Sequence, residues 1–77
     1  MTKTEKVKIH LENVGHITSL EAIELYGATR LSAIIYNLRN KYNMNIITET
    51  IEFTDRFGNA AHYAKYIFKG EENGNNK

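Results

Sequence analysis

The strongest constraint on the fold of this chain is a pair of helix signals, separated by one glycine, within residues 17–39. Thr18 and Glu21 have the spacing of a capping box, in which each side chain accepts a hydrogen bond from the other residue's backbone amide. Gly27 then ends the short helix that the box begins, because glycine readily adopts the left-handed conformation that follows a helix. A second helix follows almost at once, so we expect two helices joined by a tight turn.

In the first of these helices we expect Leu20, Ala22 and Ile23 to point inward. The second is predicted over residues 29–42. Its apolar residues recur at i, i+4 and i+7, the spacing of one buried helix face, and they are Leu31, Ile35 and Leu38. Ile34 is expected at the edge of the opposite, mostly polar face, where it would add an apolar spot.

Another helix is predicted before this pair, over residues 4–13. Val7, Leu11 and Val14 form its narrow apolar stripe. His10 lies beside the stripe, so we expect it to pack against a neighbouring helix.

After the helices the pattern changes to that of strands. Residues 46–54 and 61–68 are rich in β-branched and aromatic side chains, and the turn-forming residues 55–59 separate them. This predicts a β-hairpin with a tip of about five residues. The buried face of the first strand stays open, because the adjacent Ile46 and Ile47 cannot both point inward.

Three helices followed by a hairpin are the layout of a winged helix, an α+β fold in which a β-hairpin wing accompanies a helix-turn-helix core. The hairpin should pack on the helices, because an isolated hairpin is only marginally stable. A chain of 77 residues allows one small domain, which we place at residues 4–69. Residues 70–77 are polar and low in complexity, which predicts a disordered tail.

The composition narrows the function classes. The net charge is only +1, so nucleic-acid binding requires the charges to be sorted onto one face. The chain has no cysteine, and His10, His16 and His62 lack the spacing of metal ligands. Since there is neither a phosphate-binding glycine loop nor a nucleophile with a suitable base, we expect no cofactor and no enzyme activity. No segment is typical of a signal peptide or a membrane span, which favours the cytoplasm.

The segment 17–39 resembles the small helix-turn-helix domains that are common in bacteriophage genomes. The positions that carry the resemblance are Ile17-Thr18, Glu21-Ala22, Tyr26-Gly27, Arg30-Leu31, Ile35, Leu38-Arg39, Ile46 and Tyr66. It covers about residues 7–68 and implies a winged helix that binds double-stranded DNA. This chain departs from the family pattern at Ile34, where the family often has arginine, and in its longer exit from the third helix.

A recognition helix in a DNA major groove contacts bases with its first residues and outer face, and phosphates near its end. Arg30, at the start, could donate to both O6 and N7 of guanine, or simply be a solvated arginine near Glu21 or Glu24. The hairpin tip could reach a minor groove, although tips carry such residues for turn geometry as well. The predicted DNA-binding residues are Arg30, Ser32, Ala33, Tyr36, Asn37, Arg39, Lys41, Arg56 and Asn59.

The leading hypothesis is a phage or mobile-element DNA-binding protein, either a transcriptional regulator or an excisionase-like factor, in the host cytoplasm. Its partner would be double-stranded DNA, and a homodimer would place two recognition helices on paired half-sites. The alternative is a protein-interaction module, or an inhibitor of a host protein, on the same fold. The near-neutral charge and the aromatic-rich hairpin favour that alternative, because surplus aromatic side chains would leave an exposed patch.

Overall fold

The computed structural model describes residues 1–71, which form three helices and three strands. In chain order the elements are α1 (Lys3–Val14), β1 (His16–Thr18), α2 (Ser19–Tyr26), α3 (Leu31–Lys41), β2 (Met44–Thr54) and β3 (Ala60–Glu71). The predicted α+β winged helix, with three helices before a β-hairpin, is confirmed. Among the described residues, no helix has the length and apolar character needed to cross a membrane.

Capping interactions set where α1 and α2 begin. The Glu21 amide donates to Thr18 Oγ1 at 3.3 Å and the Thr18 amide donates to Glu21 Oε1 at 3.0 Å, which confirms the predicted capping box. A second capping box, between Thr2 and Glu5, starts α1 at Lys3 and was not predicted. Gly27 follows α2 in the left-handed conformation, with a φ of 66°, and ends that helix as expected.

A short strand that the sequence did not reveal completes the sheet. Strand β1 pairs antiparallel with β3, which pairs antiparallel with β2, so the strand order is β1-β3-β2. The Phe68 amide extends this pairing by donating to the Gly15 carbonyl at 2.8 Å. Because β1 lies directly before α2, the sheet fixes the position at which α2 begins.

The hairpin is confirmed, with residues 55–59 as its tip. A register irregularity lies between Met44 and Ile46, beyond which Ile46 pairs with Phe68 and Ile47 with Ile67. Ile46 is 5% exposed and Ile47 is 42% exposed. At the start of β2, Met44 and Ile46 therefore face the helices, and Ile46 is the isoleucine that points inward.

The core lies between the helices and the inner face of the sheet. Tyr26, Tyr66 and Phe68 pack against it from α2 and β3. The buried core residues are Val7, Leu11, Ile17, Ala22, Ala28, Leu31, Ile34, Ile35, Leu38, Met44 and Ile46. Helix α3 contributes four of them, so the opposite face of this helix must point to solvent.

Some predicted side-chain directions are wrong. In α2, Ala22 and Tyr26 lie one helical turn apart and both point toward the core. Leu20 and Ile23 lie on other sides of this helix and are therefore exposed. Ile34 is only 9% exposed and belongs to the core, instead of lying at the edge of the polar face. Residues predicted to face inward but found exposed are Val14 at 52%, Leu20 at 64% and Ile23 at 46%.

The ends of the later elements also differ from the predictions. Helix α3 begins at Leu31, because Arg30 takes the N-cap position, and it ends at Lys41. Strand β2 starts at residue 44 and β3 starts at residue 60, each earlier than predicted. Strand β3 continues to Glu71, and residues 72–77 lie outside the described residues. The division into a domain at 4–69 and a tail at 70–77 stays a prediction.

Candidate nucleic-acid interface

The outer face of α3 is a continuous polar surface. Its exposed side chains are Ser32, Ala33, Tyr36, Asn37, Asn40 and Lys41. Tyr36 is the large side chain of this face and is 66% exposed. The side-chain amide of Asn40 donates to the Tyr36 carbonyl at 2.8 Å, which holds that amide along the helix. The other exposed side chains of this face lie in two adjacent rows along the helix, an arrangement that fits along a DNA major groove.

Arg30 stands at the N-terminal end of this face. Its backbone has φ −123° and ψ 57°, and its side chain makes no capping hydrogen bond. Its carbonyl accepts the amides of Ala33 and Ile34 at 3.1 and 3.2 Å, so the backbone of Arg30 is held in the first turn. Within residues 1–71 its exposed guanidinium has no ion pair with an acidic side chain, including those of Glu21 and Glu24.

Arg39 is turned toward the sheet instead of toward the outer face. Its Nε donates to the Ile46 carbonyl at 2.9 Å, and its Nη2 donates to Thr48 Oγ1 at 2.9 Å. The guanidinium therefore ties the last turn of α3 to strand β2. Ile46 and Thr48 were not predicted as partners of Arg39, and no local pattern identifies them, because one contributes a backbone carbonyl and the other an ordinary threonine hydroxyl.

The tip of the wing is an ordered turn. The Asp55 carboxylate accepts the amides of Phe57 and Asn59, both at 2.9 Å, and the Asp55 amide donates to the Asn59 carbonyl at 2.9 Å. Gly58 has a φ of 84°, which only glycine adopts easily. Asp55 and the backbone of Asn59 thus serve the turn, while the side chains of Arg56 and Phe57 point to solvent.

Charge is sorted along the chain. Residues 25–48 contain Arg30, Arg39 and Lys41 but no acidic residue. The acidic side chains nearest to this segment in sequence are Glu24 in α2 and Glu49 in β2. Helix α3 therefore forms a cationic element in a chain whose net charge is +1.

The histidines are not gathered into a metal site. His10 Nδ1 lies 2.8 Å from the Tyr26 hydroxyl, and the two rings meet edge to face, so His10 joins α1 to α2 as predicted. His62 faces Glu52 across the hairpin. In the described part of the chain, no three His, Asp or Glu side chains come close enough together to hold a metal ion.

The comparisons agree with this architecture. A family model described as a winged helix-turn-helix domain matches residues 2–71, a range that contains all three helices and the whole hairpin. No curated protein and no solved structure matches the chain. Since the matched range covers far more than half of the 77 residues, the chain belongs to the winged helix-turn-helix domain family.

Proposed function

We propose that this protein binds double-stranded DNA with α3 in the major groove, as a transcriptional regulator or excisionase-like factor of a phage or mobile element. It would act in the host cytoplasm, by binding and not by catalysis. The observation that carries the proposal is the outer face of α3, which is exposed and polar in a segment that has three cationic residues and no acidic one. A helix with these properties suits a groove lined by phosphates.

Within this interface, the residues divide by position. Arg30, Ala33 and Asn37 follow one row from the N-terminal end, where a recognition helix approaches the base edges. Arginine can read guanine and asparagine can read adenine, each through two hydrogen bonds. Ser32 and Tyr36 lie on the adjacent row, and Lys41, at the C-terminal end, is suited to a phosphate.

Arg39 and the wing have different parts in this proposal. Since the Arg39 guanidinium is hydrogen-bonded to β2, we assign it to holding α3 against the sheet and not to reading DNA. Arg56 supplies the wing contact, because its side chain points to solvent. The carboxylate of the neighbouring Asp55 is directed to the turn, where it accepts two backbone amides. Asn59 would contribute through its side chain alone, since its backbone belongs to the turn.

Titration of the protein with duplex DNA at several salt concentrations tests the proposal. A few phosphate contacts predict modest affinity that falls steeply with salt, by about 0.9 in the logarithmic slope for each contact. Arg30→Ala should flatten the preference among sequences, with a loss of roughly 1–3 kcal/mol on the preferred site. Lys41→Ala is the matched control and should weaken all sequences alike. Absent or salt-insensitive binding would contradict the proposal.

A second candidate function is a protein-interaction module that inhibits a host protein. It is favoured by α2, where Leu20 and Ile23 are neighbours one helical turn apart and are 64% and 46% exposed, while Leu25, on a different side of the helix, is 59% exposed. Exposed apolar side chains that lie close together often mark a protein-binding surface. Under this alternative, Ile23→Ser would abolish the host interaction and leave the stability of the domain nearly unchanged.

A further inference from the structure

Part of strand β3 has a neighbour on one side only. In strand β1, His16, Ile17 and Thr18 lie opposite residues 65–67 of β3, and then the chain turns away into α2. Strand β2 accompanies β3 further, as far as the pair of Thr54 and Ala60. In the described part of the chain, no strand therefore lies beside residues 60–64 on the β1 side. We call this segment the β3 edge.

The direction of the backbone bonds shows which groups the β3 edge offers. The Phe68 amide donates toward the β1 side, to the Gly15 carbonyl. In an antiparallel sheet, alternate residues direct their N–H and C=O groups to the same side. Ala60 and His62 are in phase with Phe68, so their amides and carbonyls point outward from the β3 edge, where a further strand could pair with them.

A groove of about 510 Å³ runs alongside the β3 edge, between the start of α2 and the hairpin. Leu20 lines it from α2, while Phe53, His62 and Tyr63 line it from the hairpin. The rings of Phe53 and Tyr63 lie 5.9 Å apart and are 46% and 44% exposed. Free backbone groups beside an exposed apolar groove are the two requirements for the addition of a strand.

The sequence of the β3 edge suits a second copy of itself. Residues 60–64 read Ala-Ala-His-Tyr-Ala and contain neither an acidic residue nor lysine or arginine. Two such segments can therefore lie side by side without like-charge repulsion, and alanines opposite larger side chains leave room for close packing. The outer edge of β2 is different, because Arg39 occupies it at Ile46 and because Glu49 and Glu52 would repel a copy of themselves.

We propose that two copies of this protein pair through their β3 edges, antiparallel and around a two-fold axis at His62. His62 would face His62 of the second copy, and Tyr63 would face the second Ala61. The pairing joins two hairpins into one four-stranded sheet with an aromatic cluster on one face. The pairing is confined to residues 60–64, because β1 already lies opposite residues 65–67, so the tip of the second copy turns out of the sheet beyond Ala60.

A strand of an unrelated protein remains the competing occupant, and the test below distinguishes it from a second copy.

The absence of cysteine makes cross-linking a direct test. Directly opposed residues in a hydrogen-bonded antiparallel pair have Cα atoms about 5.5 Å apart, which is within the range of a disulfide. His62→Cys should therefore form a covalent dimer under mild oxidation. Thr50→Cys is the matched control, because it is exposed on the same hairpin but lies more than about 14 Å from its counterpart in the proposed sheet.

Sedimentation equilibrium of the unmodified chain gives the second readout. We expect a species of twice 8.9 kDa. His62→Lys should raise the dimer dissociation constant by roughly tenfold or more, because two ammonium groups would meet at the axis, whereas Thr50→Lys should leave it unchanged. A chain that stays monomeric, or that cross-links at residue 50 as fast as at residue 62, overturns the proposal. A monomer whose residue 62 cross-links to another protein also overturns it.

The dimer does not depend on the proposed DNA binding. Monomeric His62→Lys should still bind a DNA half-site if α3 is the recognition helix. Loss of the dimer and loss of half-site binding are thus separate results.

Discussion

Replacing Arg39 with alanine should lower the free energy of unfolding, because this side chain joins α3 to the open edge of β2. Its bond to the Ile46 carbonyl is partly buried and its bond to Thr48 Oγ1 is exposed, both at 2.9 Å. A hydrogen bond with a charged partner contributes roughly 1.5–3 kcal/mol, and exposure to water reduces that value. We expect a total loss of about 2 kcal/mol, which would lower the melting temperature of a domain this small by roughly 8–16 °C.

Urea unfolding followed by circular dichroism measures this loss. The unfolding midpoint should move to a lower urea concentration. The slope of the free energy of unfolding against urea should stay the same, because the surface that unfolding exposes is unchanged. Thr48→Val removes only the exposed bond and should cost about 0.5 kcal/mol. Lys41→Ala, in the same last turn of α3, removes the same charge from an exposed side chain and should change stability by less than about 0.5 kcal/mol.

DNA titrations provide the result that would refute this reasoning. A phosphate contact contributes about 0.9 to the slope of log K against log salt. If Arg39→Ala reduced that slope by this amount and left the urea midpoint in place, the guanidinium would be a DNA contact. The hydrogen bonds to Ile46 and Thr48 would then contribute nothing measurable to stability.

Two further substitutions test the local structure. Thr18→Ala should lower the free energy of unfolding by about 1 kcal/mol, because the Glu21 amide loses its acceptor; the adjacent, exposed Ser19→Ala is the control in thermal unfolding, and equal effects would exclude a capping role. Ile34→Ala should cost about 2–4 kcal/mol, since this side chain is 9% exposed. Tyr36→Ala, on the opposite face, should cost much less, and similar urea midpoints for the two would show that Ile34 lies outside the core.

The parts of the fold that were predictable rest on short-range chemistry. Thr18 and Glu21 satisfy each other's amides within one helical turn, and Gly27 supplies the conformation that ends the helix. The hairpin was predictable for the same reason, because Asp55 organises its tip through bonds to residues two and four positions later. The outer face of α3 followed from the spacing of Leu31, Ile35 and Leu38, whose burial turns the polar rows outward.

What sequence reasoning missed depends on contacts between distant segments. Leu20 and Ile23 look like core residues in a helix of eight residues, but of the three side chains predicted to point inward only Ala22 is buried, because α2 is oriented by its packing against the rest of the fold. Ile34 looked like an interruption of the polar face, but the width of the core beneath α3 accommodates it. The partners of Arg39 belong to β2, so the function of this arginine could not be inferred from its position in the helix.

The three-residue strand β1 has a consequence for how the chain folds. Ile17 pairs with Tyr66, which lies 49 residues later in the chain, and the Gly15 carbonyl accepts a hydrogen bond from the similarly distant Phe68 amide. Contacts between such distant residues slow folding relative to a purely helical domain of the same size. On the ribosome, α2 could become helical early, but it would have no fixed place until the last strand emerged. We therefore expect a nascent chain that ends before residue 65 to lack the final arrangement of the helices and the hairpin, because β1 has no strand to pair with.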